Sequence, residues 1–300
     1  MIEKFLVMGN SNNIKFNKFP IEQIFSRRRK VLITIACVAI VCSFLIGLNP
    51  VRLLNGNNLK LAGEFIGAAF TPAIDYENPV PGTEPFLITV VESVLMTLRF
   101  ALLAMSVSIP IGALLAFFST TAWWPKARNK RGLKLLLMGT LIISKSWITF
   151  ARSIHELMWG ILFITAMGIS TTAAIIAVSI PFSGILAKIY SEIIEEHSTE
   201  VQELFQSIGA GVFSSFCLGI IPQALPDLLS YTFYRLECAL RTATVFGFIG
   251  IETIGYRIKL SSDEFHYHEV WTYLYVLFGS IAILEWWSRS IRKRLGGSAN

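Results

Sequence analysis

Residues 200–226 read EVQELFQSIGAGVFSSFCLGIIPQALP. The stretch opens on acids, turns at a Gly-Ala-Gly, and becomes apolar up to two prolines. On either side the chain is far more hydrophobic. What an acidic, helix-like insert between two greasy segments means depends on which face of a membrane it occupies.

That there is a membrane follows from composition. The 300 residues are 53% hydrophobic and 15% charged, with a mean hydropathy of +0.58, whereas soluble domains carry about 25% charged residues. Together with 22 Phe and 7 Trp, this predicts an all-α, polytopic membrane protein rather than a large soluble core. The first 30 residues are polar and basic, and no small-residue cleavage site follows the first apolar run, so no cleavable signal peptide is expected. Cysteines 37, 42, 217 and 238 form no CxxC or Cys/His pattern and read as free buried thiols.

Apolar segments at 31–48, 86–118, 133–167, 171–190, 213–255 and 270–287 predict six spans. Pro110 predicts a kink in the second. The third reads as one long, irregular span interrupted by Lys145, Arg152, His155 and Glu156. The fifth reads as broken by Pro222, Pro226 and a cluster of charges. LAGEFIGAAF (61–70), inside the polar loop 49–85, predicts a short interfacial helix. Lys and Arg set the sides. Residues 1–30 hold seven, 119–134 five and 289–300 four, against two each in 50–85 and 257–269. Both termini and the 191–211 segment are therefore expected in the cytoplasm.

Residues 191–211 hold five Glu and no Lys or Arg. Ile194, His197, Val201, Leu204, Phe205 and Ile208 recur at helical spacing, predicting one helix of about four turns with an apolar stripe. Gly209 ends it as a C′ glycine ends helices. Such a helix is either a solvated connector or a docking element for a cytoplasmic partner.

The stretch resembles the cytoplasmic coupling loop of ABC importer permeases, which runs Glu-Ala-Ala, three residues, Gly, nine residues, Ile, one residue, Leu-Pro. Glu203-Leu204-Phe205, Gly209 and Ile221-Pro222 fall at those spacings, with Gly219 where Ile is usual. TLRFALLA (97–104), ARSIHELMWGILFITAMG (151–168), IPQALPDLLSYTFYRLE (221–237) and RTATVFGFIGIETIG (241–255) are similar to the phosphonate/phosphite branch of those permeases. His155 stands where that branch has Pro before Glu156, and Ile251 and Glu252 where it has small residues and glycine.

The resemblance implies a type-1 importer permease fold over 86–290, preceded by a cytoplasmic tail (1–30) and a first span with its outer loop (31–85), and followed by a tail (291–300). It implies a small oxyanion such as phosphonate or phosphite as cargo. It also implies P-loop ATPase subunits, an external substrate-binding protein and a second copy of the chain as partners, with lipid around them and no nucleic acid. Glu203, Leu204, Phe205, Gly209, Ala210 and Pro222 become the ATPase-coupling residues. The chain has no Gly-x-x-x-x-Gly-Lys-Ser/Thr, so ATP hydrolysis is assigned to another chain. No catalytic residue, metal site or cofactor is expected here.

Charges inside spans are costly and face partners or water-filled cavities. Arg241, which opens a Gly-rich segment, is the first candidate for lining an anion pathway. Arg235 is second, since Glu237 two residues on can neutralise it. Arg99 and Arg152 read as snorkelling or structural, Arg152 pairing with Glu156 at i+4. Trp271, Tyr273, Tyr275, Trp286 and Trp287 read as an interfacial belt. His266 and His268, beside Glu264 and Glu269, read as solvated loop residues.

Two other readings stand beside this one: an importer for another solute such as an amino acid, and a secondary carrier or intramembrane enzyme. The halves show no internal repeat of the kind carriers have, and a lone His155–Glu156 pair is too little for an enzyme. The topology is tested by single cysteines in a background lacking the native four. Positions 57 and 262 should react with an impermeant thiol reagent in intact cells, and positions 129 and 298 only after lysis. Labelling of 129 from outside would overturn the six-span arrangement.

Overall fold

A computed structural model describes residues 21–47, 55–79, 81–82, 84–124, 131–197 and 200–296. The chain divides into two compact units, Met1–Gly63 and Glu64–Asn300. The first contains α1 (Ile21–Leu45). The first expected span, 31–48, is helical through Leu45, and Leu48 lies outside the described residues. The expected interfacial helix is α2 (Gly56–Ala68), which begins in the first unit and ends in the second. No strand occurs among the described residues.

Five helical stretches of the second unit are long and apolar enough to cross a membrane: Phe86–Ser119, Lys134–Ser153, Thr171–Glu196, Val212–Gly247 and Tyr267–Arg294. The first expected span, 31–48, is not among them. The described apolar run of α1, Val31 to Leu45, is shorter than the ~20 residues a span needs. The protein is thus an all-helical, multi-pass membrane protein.

α3 (Phe86–Ser119) runs through Pro110 as one helix. The expected third span is two helices, α4 (Arg131–Ser153) and α5 (Glu156–Met167), and the break has a cause in the sequence. His155 is extended (φ −60°, ψ 141°), and its Nδ1 accepts the Leu157 N–H at 3.2 Å. Histidine here caps a helix where the branch this chain resembles has proline, so the break persists without the ring constraint.

α6 (Thr171–Glu196), N-capped by Ser170, is the central helix. Ala173, Ala174, Ala177, Ser179, Ser183, Gly184 and Ala187 are all buried. A Cβ on Gly112 of α3 would lie 2.8 Å from the Leu186 Cβ, and one on Gly184 would lie 3.0 Å from the Ala151 Cβ of α4. Ser179 Oγ donates across to the Ala104 carbonyl at 3.3 Å. Lipid tails are as apolar as leucine, so membrane helices associate by close packing of small residues, as here.

The expected four-turn acidic helix is also two pieces. Residues 191–196 finish α6, and α7 (Glu200–Ser207) follows after a break at His197. Next come α8 (Val212–Ser215), one π-helical turn (Phe216–Ile220) and α9 (Ile221–Gly247). Contrary to the sequence expectation, Pro222 and Pro226 do not break the fifth span. Pro222 follows directly on the π-helical turn, whose shifted hydrogen bonds accommodate its missing N–H, and Pro226 lies within α9. The Ile221 N–H reaches back to the Phe216 carbonyl, and Gln223 Nε2 donates to the Gly219 carbonyl at 2.6 Å.

After α9 the chain turns through Gly250 (φ +99°) into α10 (Ile254–Asp263) and α11 (Tyr267–Gly296). The glycines of RTATVFGFIGIETIG let the chain approach itself. A Cβ on Gly255 would lie 1.8 Å from the Thr244 carbonyl oxygen, and one on Gly247 would lie 2.2 Å from the Tyr256 nitrogen. Ile251 is buried in the core, and the Ile254 N–H donates to Thr97 Oγ1 of α3 at 2.9 Å.

The four cysteines are free, and Cys37 and Cys42 are exposed rather than buried. Gly255→Ala should lower Tm in detergent by about 5 °C or more through overpacking. Gly279→Ala, whose Cβ meets nothing within 4 Å, should leave Tm unchanged or slightly higher. Equal melting of the Gly255 variant and wild type would show that the α9–α10 contact is looser than described.

Candidate functional site

The first candidate surface is α7 and the turn after it. Gly209 has φ +91°, its N–H donates to the Gln206 carbonyl at 3.1 Å, and the Ala210 N–H donates to the Phe205 carbonyl at 3.0 Å. This is a Schellman turn, and it needs the left-handed residue that glycine supplies without strain. The turn is open, since a Cβ on Gly209 would meet nothing within 4 Å. Glycine is therefore required by its backbone angle and not by crowding inside the chain.

The stripe expected on α7 is oriented the other way. Gln202 is the buried residue, while Leu204 and Ile208 are 66% and 79% exposed and Phe205 is half-buried. Gln202 Nε2 donates to the Ala122 carbonyl at 2.9 Å. A Cβ on Gly219 would lie 3.1 Å from the Gln202 Cα. The glycine that replaces the usual isoleucine thus makes room for α7 on the π-helical turn. Glu195 accepts from the Thr121 N–H and hydroxyl at 3.0 and 3.3 Å, and Trp123 stacks on Phe117 at 4.7 Å. These contacts tie residues 117–123, the end of α6 and α7 together, leaving Leu204, Ile208 and Phe213 outward.

Sequence reasoning missed Gln202 because an amphipathic wheel assigns it to the polar face. The position of Gly219 in an otherwise bulky run was the available signal. Gly219→Ile, which restores the residue usual at that position, should overpack α7 by about 1–3 kcal/mol and lower Tm by roughly 2–10 °C. An unchanged Tm in detergent would mean α7 does not rest on the π-helical turn.

The second candidate is the set of charges within the spans. Glu237, buried on α9, forms an ion pair with Arg241 one turn on and not with Arg235. Glu285 and Arg289 of α11 also pair with each other and lie within electrostatic reach of Arg241 and Glu237. Arg241 is accordingly already paired, in a cluster of charges that also holds Glu285, Arg289 and, within reach of Glu285, Arg292.

Arg235 is placed differently. Its guanidinium carbon lies 4.0 Å from the Phe182 ring centroid, and its Nε and Nη2 are buried without a hydrogen-bond partner. A cation–π contact is worth about 0.5–2 kcal/mol, while a buried donor left unpaired costs about 1–3 kcal/mol. The ring offsets only part of that cost.

Arg152 and Glu156 do not pair among the described residues, because the break at His155 destroys their i,i+4 relation. Glu156 Oε1 instead accepts from Thr242 Oγ1 of α9 at 3.1 Å. Arg99 is exposed on α3, shares a hollow with Glu84 and Glu92, and donates to Met96 Sδ at 3.8 Å.

The two loop histidines are structural rather than solvated. His268 Nδ1 lies 2.6 Å from the Thr71 carbonyl, and His266 Nε2 lies 2.9 Å from Asn78 Nδ2. Buried Glu269 accepts from the Glu77 N–H at 2.9 Å and from Ser261 Oγ at 2.8 Å. Among the described residues no His/Cys/Asp/Glu group has the makings of a metal site.

The aromatic belt divides. Trp271 and Tyr275 donate to the Phe65 and Ala69 carbonyls, each at 2.7 Å, and Trp286 and Trp287 are exposed. Tyr273 is instead a core residue, packed edge-on against Phe86 at 5.5 Å.

Comparison with known proteins fits this arrangement. The family model for the binding-protein-dependent transport system inner membrane component matches residues 97–296. Over 156 residues the chain is 35% identical to HtxE of Stutzerimonas stutzeri, provisionally named a phosphite transport system permease protein. That match covers 52% of this chain and 60% of HtxE, under two thirds of that relative's length. Over 266 residues it is 25% identical to the phosphite transport system permease protein PtxC of the same organism, covering 88% of each. The fold is similar to a chain in the crystal structure of an amino acid ABC transporter with histidines. The TM-score is 0.57 at 18% identity, over 71% of this chain and 99% of that one.

Proposed function

The chain belongs to the family of binding-protein-dependent transport system inner membrane components, and from that premise we propose that it is the permease subunit of an ATP-driven importer for a small oxyanion such as phosphite or a phosphonate. The observation that carries this reading is α7. It is a short acidic helix, anchored on its buried side through Gln202, closed by a left-handed glycine, and turned outward with Leu204 and Ile208. An exposed apolar pair with acids around it suits a groove in a separate, basic-rimmed protein.

With no phosphate-binding loop in this chain, that partner is a P-loop ATPase. When two ATPase subunits close on ATP, the helices seated in them move together. The contacts among α7, residues 117–123 and the end of α6 carry the movement into the spans, which switch between inward- and outward-facing states. In this reading both termini and α7 are cytoplasmic, 86–290 is the transport domain, a second copy completes the pathway, and an external binding protein delivers the solute. The oxyanion follows from the relatives named for phosphite. The amino acid transporter shares the fold at 18% identity and does not weigh on the solute.

Gly209→Trp should leave the protein in the membrane and reduce transport at least tenfold, because the indole fills the open side of the turn. Gly209→Asn, which tolerates the left-handed region, should keep most of the activity. Normal transport and normal co-purification of the ATPase with Gly209→Trp would remove the docking role of α7.

A further inference from the structure

Arg235 sits about 21 Å along α9 from Ile221, at 1.5 Å per residue, within the Val212–Gly247 segment. Phe182, under its guanidinium, is fully buried midway along α6. The contact therefore lies deep in the helical core. Nε and Nη2, its two orphaned nitrogens, form one edge of the guanidinium plane. That edge can donate two parallel hydrogen bonds to two oxygens of one oxyanion. Glu237, the acid nearest in sequence, is already engaged by Arg241. Close by are further hydroxyls. Tyr190 and Thr232 bond each other at 2.5 Å, Tyr231 packs on Tyr190 and Tyr234 at 6.5 and 5.9 Å, and the Tyr231 hydroxyl lies within electrostatic reach of Arg235.

We propose that Arg235, and not Arg241, holds the oxyanion midway along the transport pathway, its Nε–Nη2 edge taking two of the anion's oxygens. This rests on the oxyanion-importer reading above. In this conformation the edge is covered, so the anion meets it only when α6 and α9 part. Two buried, unpaired donors of a cation penalise the covered state, and a captured anion relieves that penalty. The cation is offset without being permanently neutralised, which lets an anion bind and leave. Arg241, paired with Glu237 and facing the Glu285–Arg289 pair, has no such vacancy.

The test uses proteoliposomes holding the chain with its co-encoded ATPase and binding protein, and follows ATP-driven uptake of phosphite, inorganic phosphate and methylphosphonate. The wild-type complex should take up at least one of the three. Arg235→Gln should lower that uptake at least tenfold, equivalent to about 1.4 kcal/mol or more on the barrier. Arg235→Lys retains the charge but not the two-donor edge and should remain about threefold or more below wild type. Arg241→Lys, which keeps an ion pair with Glu237, should stay within about threefold.

Wild-type uptake in both assembled Arg235 variants overturns the inference and leaves the importer reading standing. If only the lysine variant assembles, its uptake decides by the same criterion. Failure of both Arg235 variants to co-purify with the ATPase assigns the edge to a structural contact and also overturns the inference. Absence of uptake of all three anions by the wild-type complex sinks the oxyanion reading and this inference together.

Discussion

Close contact between α3 and α6 is the constraint on which the rest depends. At Gly112 there is no room for a Cβ, which would lie 2.8 Å from the Leu186 side chain, and Ser179 reaches the Ala104 carbonyl across the same seam. In lipid, burial of apolar surface does not drive helices together, so this fit must supply the association. α6 then offers Gly184 to α4 and Phe182 to α9, and the remaining helices arrange around it. A rigid centre of this kind suits a protein whose proposed task is to pass motion from one end of its helices to the other.

The two candidate regions differ in how their polar groups are treated. On the α7 side every contact described is a satisfied one: Gln202 to Ala122, Glu195 to Thr121, and Gln223 to Gly219. Such bonds hold α7 in a fixed pose. Deeper in the spans, the Glu237–Arg241 pair is likewise closed, while Arg235 keeps two buried donors without acceptors. Polar groups are seldom left in that condition without a ligand or a second state to complete them.

The loop histidines show how a local reading goes astray. His266 and His268 lie in a polar stretch that looks solvated, yet both bond the 71–78 segment, some two hundred positions away in sequence. No local pattern carries such a contact. The same holds for Tyr273, which the alternation of aromatics places in a belt and the packing against Phe86 places in the core.

The sequence by itself determined the class of protein, the number and order of most apolar segments, and the acidic stretch with its terminal glycine. These properties reside in composition, in the period of the apolar residues and in a turn that only glycine enters without strain. The segment 133–167 reads as one long, interrupted span, and the structure resolves it into two helices with His155 as the cap between them. Only the tertiary structure decided which face of α7 is buried, because that depends on Gly219 lying beneath it from another helix. Only the tertiary structure decided which arginine is neutralised. Glu237 lies two residues from Arg235 and four from Arg241, and a helix turns the first neighbour away and brings the second alongside.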